Sequence, residues 1–163
     1  MIVVVTGVAG SGKSTIGKML ATALNCFFLE GDTLHPAANI AKMSRGTPLT
    51  DEDRRPWLAA IHSRIRDSVG RGEDLVVACS ALKREYRESL ASGVPISWVY
   101  LQASQDLIRS RLARRTAHFM KADMLESQFA ILEEPSAAIV ADASERPDAI
   151  VRKILKRLPQ PRA

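Results

Sequence analysis

Gly7-Val8-Ala9-Gly10-Ser11-Gly12-Lys13-Ser14 matches the pattern G-x-x-x-x-G-K-[ST] at every fixed position. That spacing suits one chemistry, the cradling of phosphate groups. Glycines allow backbone angles that turn successive N–H groups toward one centre. A helix that starts behind them aims its positive end at the same point. Lys13 adds a point charge for the outer phosphates, and the Ser14 hydroxyl is a ligand for Mg²⁺. The nucleotide-binding set is therefore Gly7, Val8, Ala9, Gly10, Ser11, Gly12, Lys13, Ser14 and Thr15. Asp32, closing Phe28-Leu29-Glu30-Gly31-Asp32, is a second candidate. A carboxylate there accepts a proton from an acceptor hydroxyl, or orients that hydroxyl for in-line attack. Position alone leaves this role level with a helix cap before Leu34-His35-Pro36.

The loop implies a nucleotide without naming an acceptor. GTPases, motor ATPases and small-molecule kinases share it. A switch GTPase carries an Asn-Lys-x-Asp run, and this chain has none. A motor ATPase ends a strand in a carboxylate, whereas Val76-Val77-Ala78-Cys79-Ser80 has no acid. A kinase for a small acceptor survives both exclusions, with ATP and Mg²⁺ as its nucleotide and metal.

These side chains need a scaffold, and the apolar pattern supplies one. Ile2 to Thr6, Phe27 to Glu30, Leu75 to Cys79, Ile96 to Leu101 and Ala138 to Ala141 read as short buried strands. Between them, Gly12 to Leu24, Pro36 to Ser44, Thr50 to Gly70, Lys83 to Leu90, Leu107 to Arg115 and Met124 to Leu132 read as helices. Pro147 to Leu158 is a closing one. Thr50-Asp51-Glu52-Asp53 sets a hydroxyl cap ahead of acidic first-turn residues. Strict alternation predicts an α/β fold: three layers, a parallel sheet with helices on both faces.

The 163 residues suffice for a single domain over 1–163. At 46% hydrophobic content the chain buries a core without disulfide staples, so Cys26 and Cys79 read as packing thiols in a reducing compartment. No apolar run reaches the roughly 20 residues of a membrane span. Met1 leads straight into Ile2-Val3-Val4 with no basic leader. The expectation is a cytoplasmic protein without a membrane partner. The net charge of +5 suits anions. With aromatics at 5% and no Lys/Arg block, small anionic ligands fit better than nucleic acid.

Several longer runs carry a family resemblance. They are Gly31-Asp32-Thr33-Leu34-His35-Pro36, Asn39-Ile40-x-Lys42-Met43 and Gly46-x-Pro48-Leu49-x-Asp51-x-Asp53-Arg54-x-Pro56-Trp57-Leu58. Cys79-Ser80-Ala81-Leu82-Lys83-x-x-Tyr86-Arg87, Ser110-Arg111-Leu112, His118-Phe119, Met124-Leu125-x-x-Gln128-Phe129 and Leu132-Glu133-x-Pro135 follow. Together with the loop they resemble the gluconokinases, which phosphorylate D-gluconate. The resemblance implies ATP-dependent transfer to the 6-hydroxyl of gluconate, giving 6-phosphogluconate. It implies a nucleoside-monophosphate and shikimate kinase-like fold with a lid, here near 114–123, and a possible homodimer. It makes Lys13, Asp32, Arg111 and Arg115 catalytic. Of the two arginines, one lies against adenine and the other reaches the phosphoryl group. Asp32, His35, Arg54, Lys83, Arg87 and His118 become substrate-binding candidates. Arg54, near a helix start, calls for an anionic partner such as Asp51. Trp57 reads as core. Other small anionic acceptors such as shikimate, a module that only senses ATP, and an RNA-end kinase remain as rivals.

Overall fold

The computed structural model describes residues 1–114 and 122–159. Ile2–Thr6 (β1) is buried at all five positions. Its β-branched side chains pack on both faces of the sheet: Val3 and Val5 on one side, Ile2 and Val4 on the other. Leu75–Ala78 (β3) pairs with β1 on one flank and Ser97–Gln102 (β4) on the other, with Val5 opposite Ala78 and Val99. Phe27–Glu30 (β2) lies outside β3, and Ile139–Asp142 (β5) outside β4. The order is β2-β3-β1-β4-β5 and every pair is parallel. The expected parallel α/β architecture is what the chain forms.

Helices cover both faces. Lys13–Leu24 (α1) and Pro147–Arg157 (α7) bury Ile16, Leu20, Ile150 and Ile154 against Val3, Val5 and Val76. Asp51–Gly70 (α3) and Arg84–Ala91 (α4) bury Trp57, Ile61, Ile65 and Leu90 against Val4 and Val77. Each such side chain contributes on the order of 1.5–3 kcal/mol by leaving water. A third cluster sits above the sheet edge, where Val8 and Leu82 meet Ile108 of Gln105–Ala113 (α5) and Leu125 of Ala122–Ile131 (α6). Among the described residues no helix is long and apolar enough to cross a membrane. Both thiols are free, and burial pushes that of Cys79 up to about 12.

Local signals explain the boundaries. The α3 start is a full capping box: Thr50 Oγ1 accepts from Asp53 N–H at 3.1 Å, and Asp53 Oδ2 accepts from Thr50 N–H at 2.9 Å. Asp53 also receives Lys42 Nζ from Ala37–Ser44 (α2), a bond that brings its pKa down to about 2 and joins α2 to α3. α5 begins at Gln105, earlier than the apolar pattern predicts, because Ser104 Oγ caps Leu107 N–H at 3.1 Å. One element escapes the sequence reading altogether: a 3₁₀ turn at Gly31–Leu34, directly after β2. Only glycine fits at 31. A Cβ there would stand 2.6 Å from the Ala78 carbonyl oxygen.

Candidate active site

The carboxyl ends of β1, β2 and β3 lie at one edge of the sheet, the usual place for a site in an open α/β fold. From β1 the chain enters the glycine-rich loop. Thr6 Oγ1 donates to the Ser80 carbonyl, and so does Gly7 N–H at 3.5 Å, tying the loop to the turn after β3. Three loop carbonyls are held by cations. Arg111 Nη1, from α5, donates to the Gly10 and Ser11 oxygens at 3.2 Å each, and Arg111 Nη2 donates to Ala143 O. Lys13 Nζ donates to Val8 O at 3.0 Å. α1 starts from Gly12, whose φ of 100° only glycine adopts cheaply. Its first turn has neither a side-chain cap nor an acid. Its open N–H groups and dipole therefore offer an anion site. Burial holds the Lys13 ammonium below its ordinary pKa, against the pull of Asp32.

Across the cleft stands the 3₁₀ turn with Asp32, whose side chain is 66% exposed. His35 lies beneath it, only 5% exposed, with Nε2 4.0 Å from Asp32 Oδ1. The His35 ring stacks on Trp57 at 4.3 Å between centroids. Buried Asn39 fixes the tautomer: its Nδ2 donates to Asp53 O at 2.8 Å and sits 3.3 Å from His35 Nδ1. An amide nitrogen only donates, so Nδ1 accepts and the ring proton resides on Nε2, facing Asp32. Burial lowers the His35 pKa below 6.5, opposed by Asp32 and reinforced by Arg54, so the ring is neutral at pH 7.

Arg54 reaches the cleft from α3. Its Nη1 donates to Leu49 O at 2.6 Å and to Tyr86 Oη at 3.3 Å, and its guanidinium lies over the Tyr86 ring. Asp51 is not its partner. That carboxylate accepts from Lys83 Nζ at 2.8 Å and from the Tyr86 hydroxyl. Among the described residues Arg54 pairs with no carboxylate. It joins Lys13, Ser14, Thr15, Asp32, His35, Trp57 and Gln128 around a cleft of about 250 Å³.

The remaining candidates are placed differently. Lys83 lines an adjoining depression of about 310 Å³ that shares Pro48, Leu49, Arg54 and Ser127 with the cleft. Arg87 faces a separate groove of about 720 Å³ beside Trp98. Its Nη1 donates to the Ala81 and Leu82 carbonyls at 3.0 and 3.1 Å. That brace holds Ala81 at φ 37°, a left-handed angle that disfavours side chains. Arg115, His118 and the rest of 115–121, most of the expected lid segment 114–123, lie outside the described residues. Trp57 is core, as its 1% exposure shows, and it also lines the cleft. Sequence reasoning assigned no role to Asn39, Ser80 or Gln128, although all three stand within the family-like runs.

Comparison with known proteins gives a consistent result. A family model described as AAA domain matches residues 2–135. A gluconokinase of Gluconobacter oxydans (strain 621H) is 46% identical over 157 residues, covering 94% of this chain and 88% of that one. The crystal structure of a gluconokinase from Sinorhizobium meliloti 1021 superposes with a TM-score of 0.85 at 44% identity, covering 94% of this chain and 89% of that one. Shikimate kinase from Aquifex aeolicus shares the fold, with a TM-score of 0.59 at 18% identity over 96% of this chain and 95% of that one.

Proposed function

Because the chain belongs to the gluconokinase family, within the AAA-domain model that spans residues 2–135, we propose that it transfers the γ-phosphoryl group of ATP to the 6-hydroxyl of D-gluconate. The observation that carries this reading is the pairing of two opposed features in one cleft. A phosphate cradle with open amides faces Asp32 across it, and Arg54 lines the same cleft, paired with no carboxylate among the described residues.

The α1 amides and Lys13 hold the phosphate chain, and the grip of Arg111 on the Gly10 and Ser11 carbonyls keeps the loop in shape for it. Among the described residues no cluster of His, Cys, Asp or Glu forms a metal cage. Ser14, lining the cleft next to Lys13, suits a Mg²⁺ that arrives on the phosphates, bound mostly by their oxygens and water. Such an ion would neutralise charge between the β- and γ-phosphates. On the acceptor side, the Arg54 guanidinium bonds the gluconate carboxylate through its free nitrogens. Asp32 accepts a hydrogen bond from the 6-hydroxyl and takes its proton as the new P–O bond forms. His35 Nε2–H, buried and neutral, donates toward Asp32 or a sugar hydroxyl without adding charge. Lys83 acts at the rim through Asp51, and Arg87, from its separate groove, acts through the Ala81 turn. The family resemblance adds His118 for substrate and Arg115 for the phosphoryl group, and a homodimer is the expected assembly.

The test is ADP release with ATP and Mg²⁺ and one acceptor at a time: D-gluconate, shikimate, glucose, AMP, or water alone. Turnover with gluconate and background with the others is the expected outcome. Turnover with another acceptor would keep the kinase and overturn its substrate.

A further inference from the structure

The Val8–Ala9 peptide unit is gripped at both ends. Its carbonyl accepts from Lys13 Nζ at 3.0 Å, and its N–H donates to Gln128 Oε1 at 2.7 Å. Among the described residues Gln128 is the one side chain of α6 bonded to the phosphate loop. The bond also fixes how the carboxamide is turned. A backbone N–H needs an acceptor, so the oxygen faces Ala9 and the Nε2 donors face elsewhere. No bond from Nε2 is made among the described residues, and Gln128 lines the cleft.

The lysine marks which end of the phosphate chain this is. The first-turn amides of α1 take the inner phosphates, and the lysine of the motif reaches the outer ones. The Lys13 tip and Gln128 hold opposite edges of one trans peptide unit, and both line the same cleft, which sets Gln128 beside the outer end of the phosphate chain. Packing keeps it there. Leu125, one turn earlier on α6, is buried against Val8 and Leu82, and Glu133 N–H donates to Leu82 O at 2.9 Å just beyond the helix.

We propose that Gln128 is a contact for the γ-phosphoryl group, its amide nitrogen donating to an oxygen that only ATP, and not ADP, supplies. The inference rests on ATP being the donor and is independent of which acceptor is used. A neutral donor suits this position, since it adds a hydrogen bond as charge spreads over the transferring oxygens.

Gln128→Glu and Gln128→Leu separate this role from a structural one. The glutamate still accepts from Ala9 N–H but presents no donor, and the leucine removes both functions without charge. The measurement is the affinity for ADP and for a non-hydrolysable ATP analogue, without acceptor, alongside kcat with gluconate and the melting temperature. The expected result for Gln128→Glu is unchanged melting and ADP affinity. Its ATP-analogue affinity should fall on the order of 10–100-fold, the scale for losing one hydrogen bond to a charged oxygen, and its kcat on the order of 10²- to 10³-fold, the scale for losing one donor to a developing oxyanion. Gln128→Leu should lose the same preference for ATP over ADP. Equal losses for ADP and the analogue in either variant, or a Gln128→Glu enzyme with wild-type kcat, would overturn the proposal. Failure of the wild-type enzyme with gluconate would overturn the acceptor instead, leaving the affinity comparison intact.

Discussion

The imidazole of His35 lies flat on the indole of Trp57, 4.3 Å between centroids and 12° from parallel. The same indole donates Nε1–H to Gly31 O at 2.8 Å, one residue before Asp32. The Asp32 side of the cleft is thus mounted on a buried aromatic pair and not on a free loop.

That mounting makes stability sensitive to acid. The folded His35 pKa lies below its ordinary 6.5, so the unfolded chain binds the proton more readily. Its contribution is complete above about pH 6.5 and declines as pH falls through the interval down to the folded value. The charged neighbours, Asp32 and Arg54, pull in opposite directions. Urea midpoints followed from about pH 8 to pH 5 should fall more steeply for wild type than for His35→Gln. Parallel curves would remove His35 from the account.

Asp32→Asn keeps the shape of the carboxyl group and removes its charge. Asp32 makes few contacts and is mostly exposed, so melting should hardly change. Turnover should drop on the order of 10²- to 10⁴-fold, with ATP affinity kept within about twofold. Full turnover would exclude Asp32 from the proton path.

Arg54→Lys tests the fork geometry. Lysine keeps the charge but cannot bond both oxygens of a carboxylate while donating to Leu49 O. KM for gluconate should rise on the order of tenfold or more, with KM for ATP unmoved. A rise shared equally by both substrates would place Arg54 in the scaffold.

Gly31→Ala should damage stability and turnover together. The new methyl would meet the Ala78 carbonyl at 2.6 Å and Ile61 Cδ1 at 3.2 Å. Backbone must yield, at about 1–3 kcal/mol, and the piece that yields carries Asp32. Unfolding and steady-state kinetics on one preparation check both effects. A stable variant with lowered turnover would show that the turn shifts without loosening the core.

Local chemistry made most of the fold legible. β1 announced itself because all five residues of Ile2–Thr6 are β-branched, four of them apolar, and every one is buried. The α3 start was legible because Thr50 and Asp53 stand at capping-box spacing. Strand order was not, since pairing Val5 with both Ala78 and Val99 depends on contacts far apart in sequence. The same limit hid the partner of Arg54. A helix-start rule points to Asp51, but tertiary packing delivers Lys83 and Tyr86 to that carboxylate. Gln128 escaped for another reason. It is uncharged and carries no spacing signal, and its meaning comes only from the Ala9 amide that α6 brings within 2.7 Å.

The central place of β1 has a consequence for how the molecule is made. Its flanking strands, β3 and β4, come much later in the chain, and β2 cannot join the sheet until β3 exists. The glycine-rich loop waits longer still. It leans on Ser80, then Arg111, then Gln128, and Arg111 is itself anchored at Ala143. During synthesis from the N-terminus, the ribosome must therefore release nearly the whole chain before the loop can hold its shape. Nucleotide affinity should arise abruptly and late, so nascent chains halted before Ala143 should not be retained on an immobilised nucleotide.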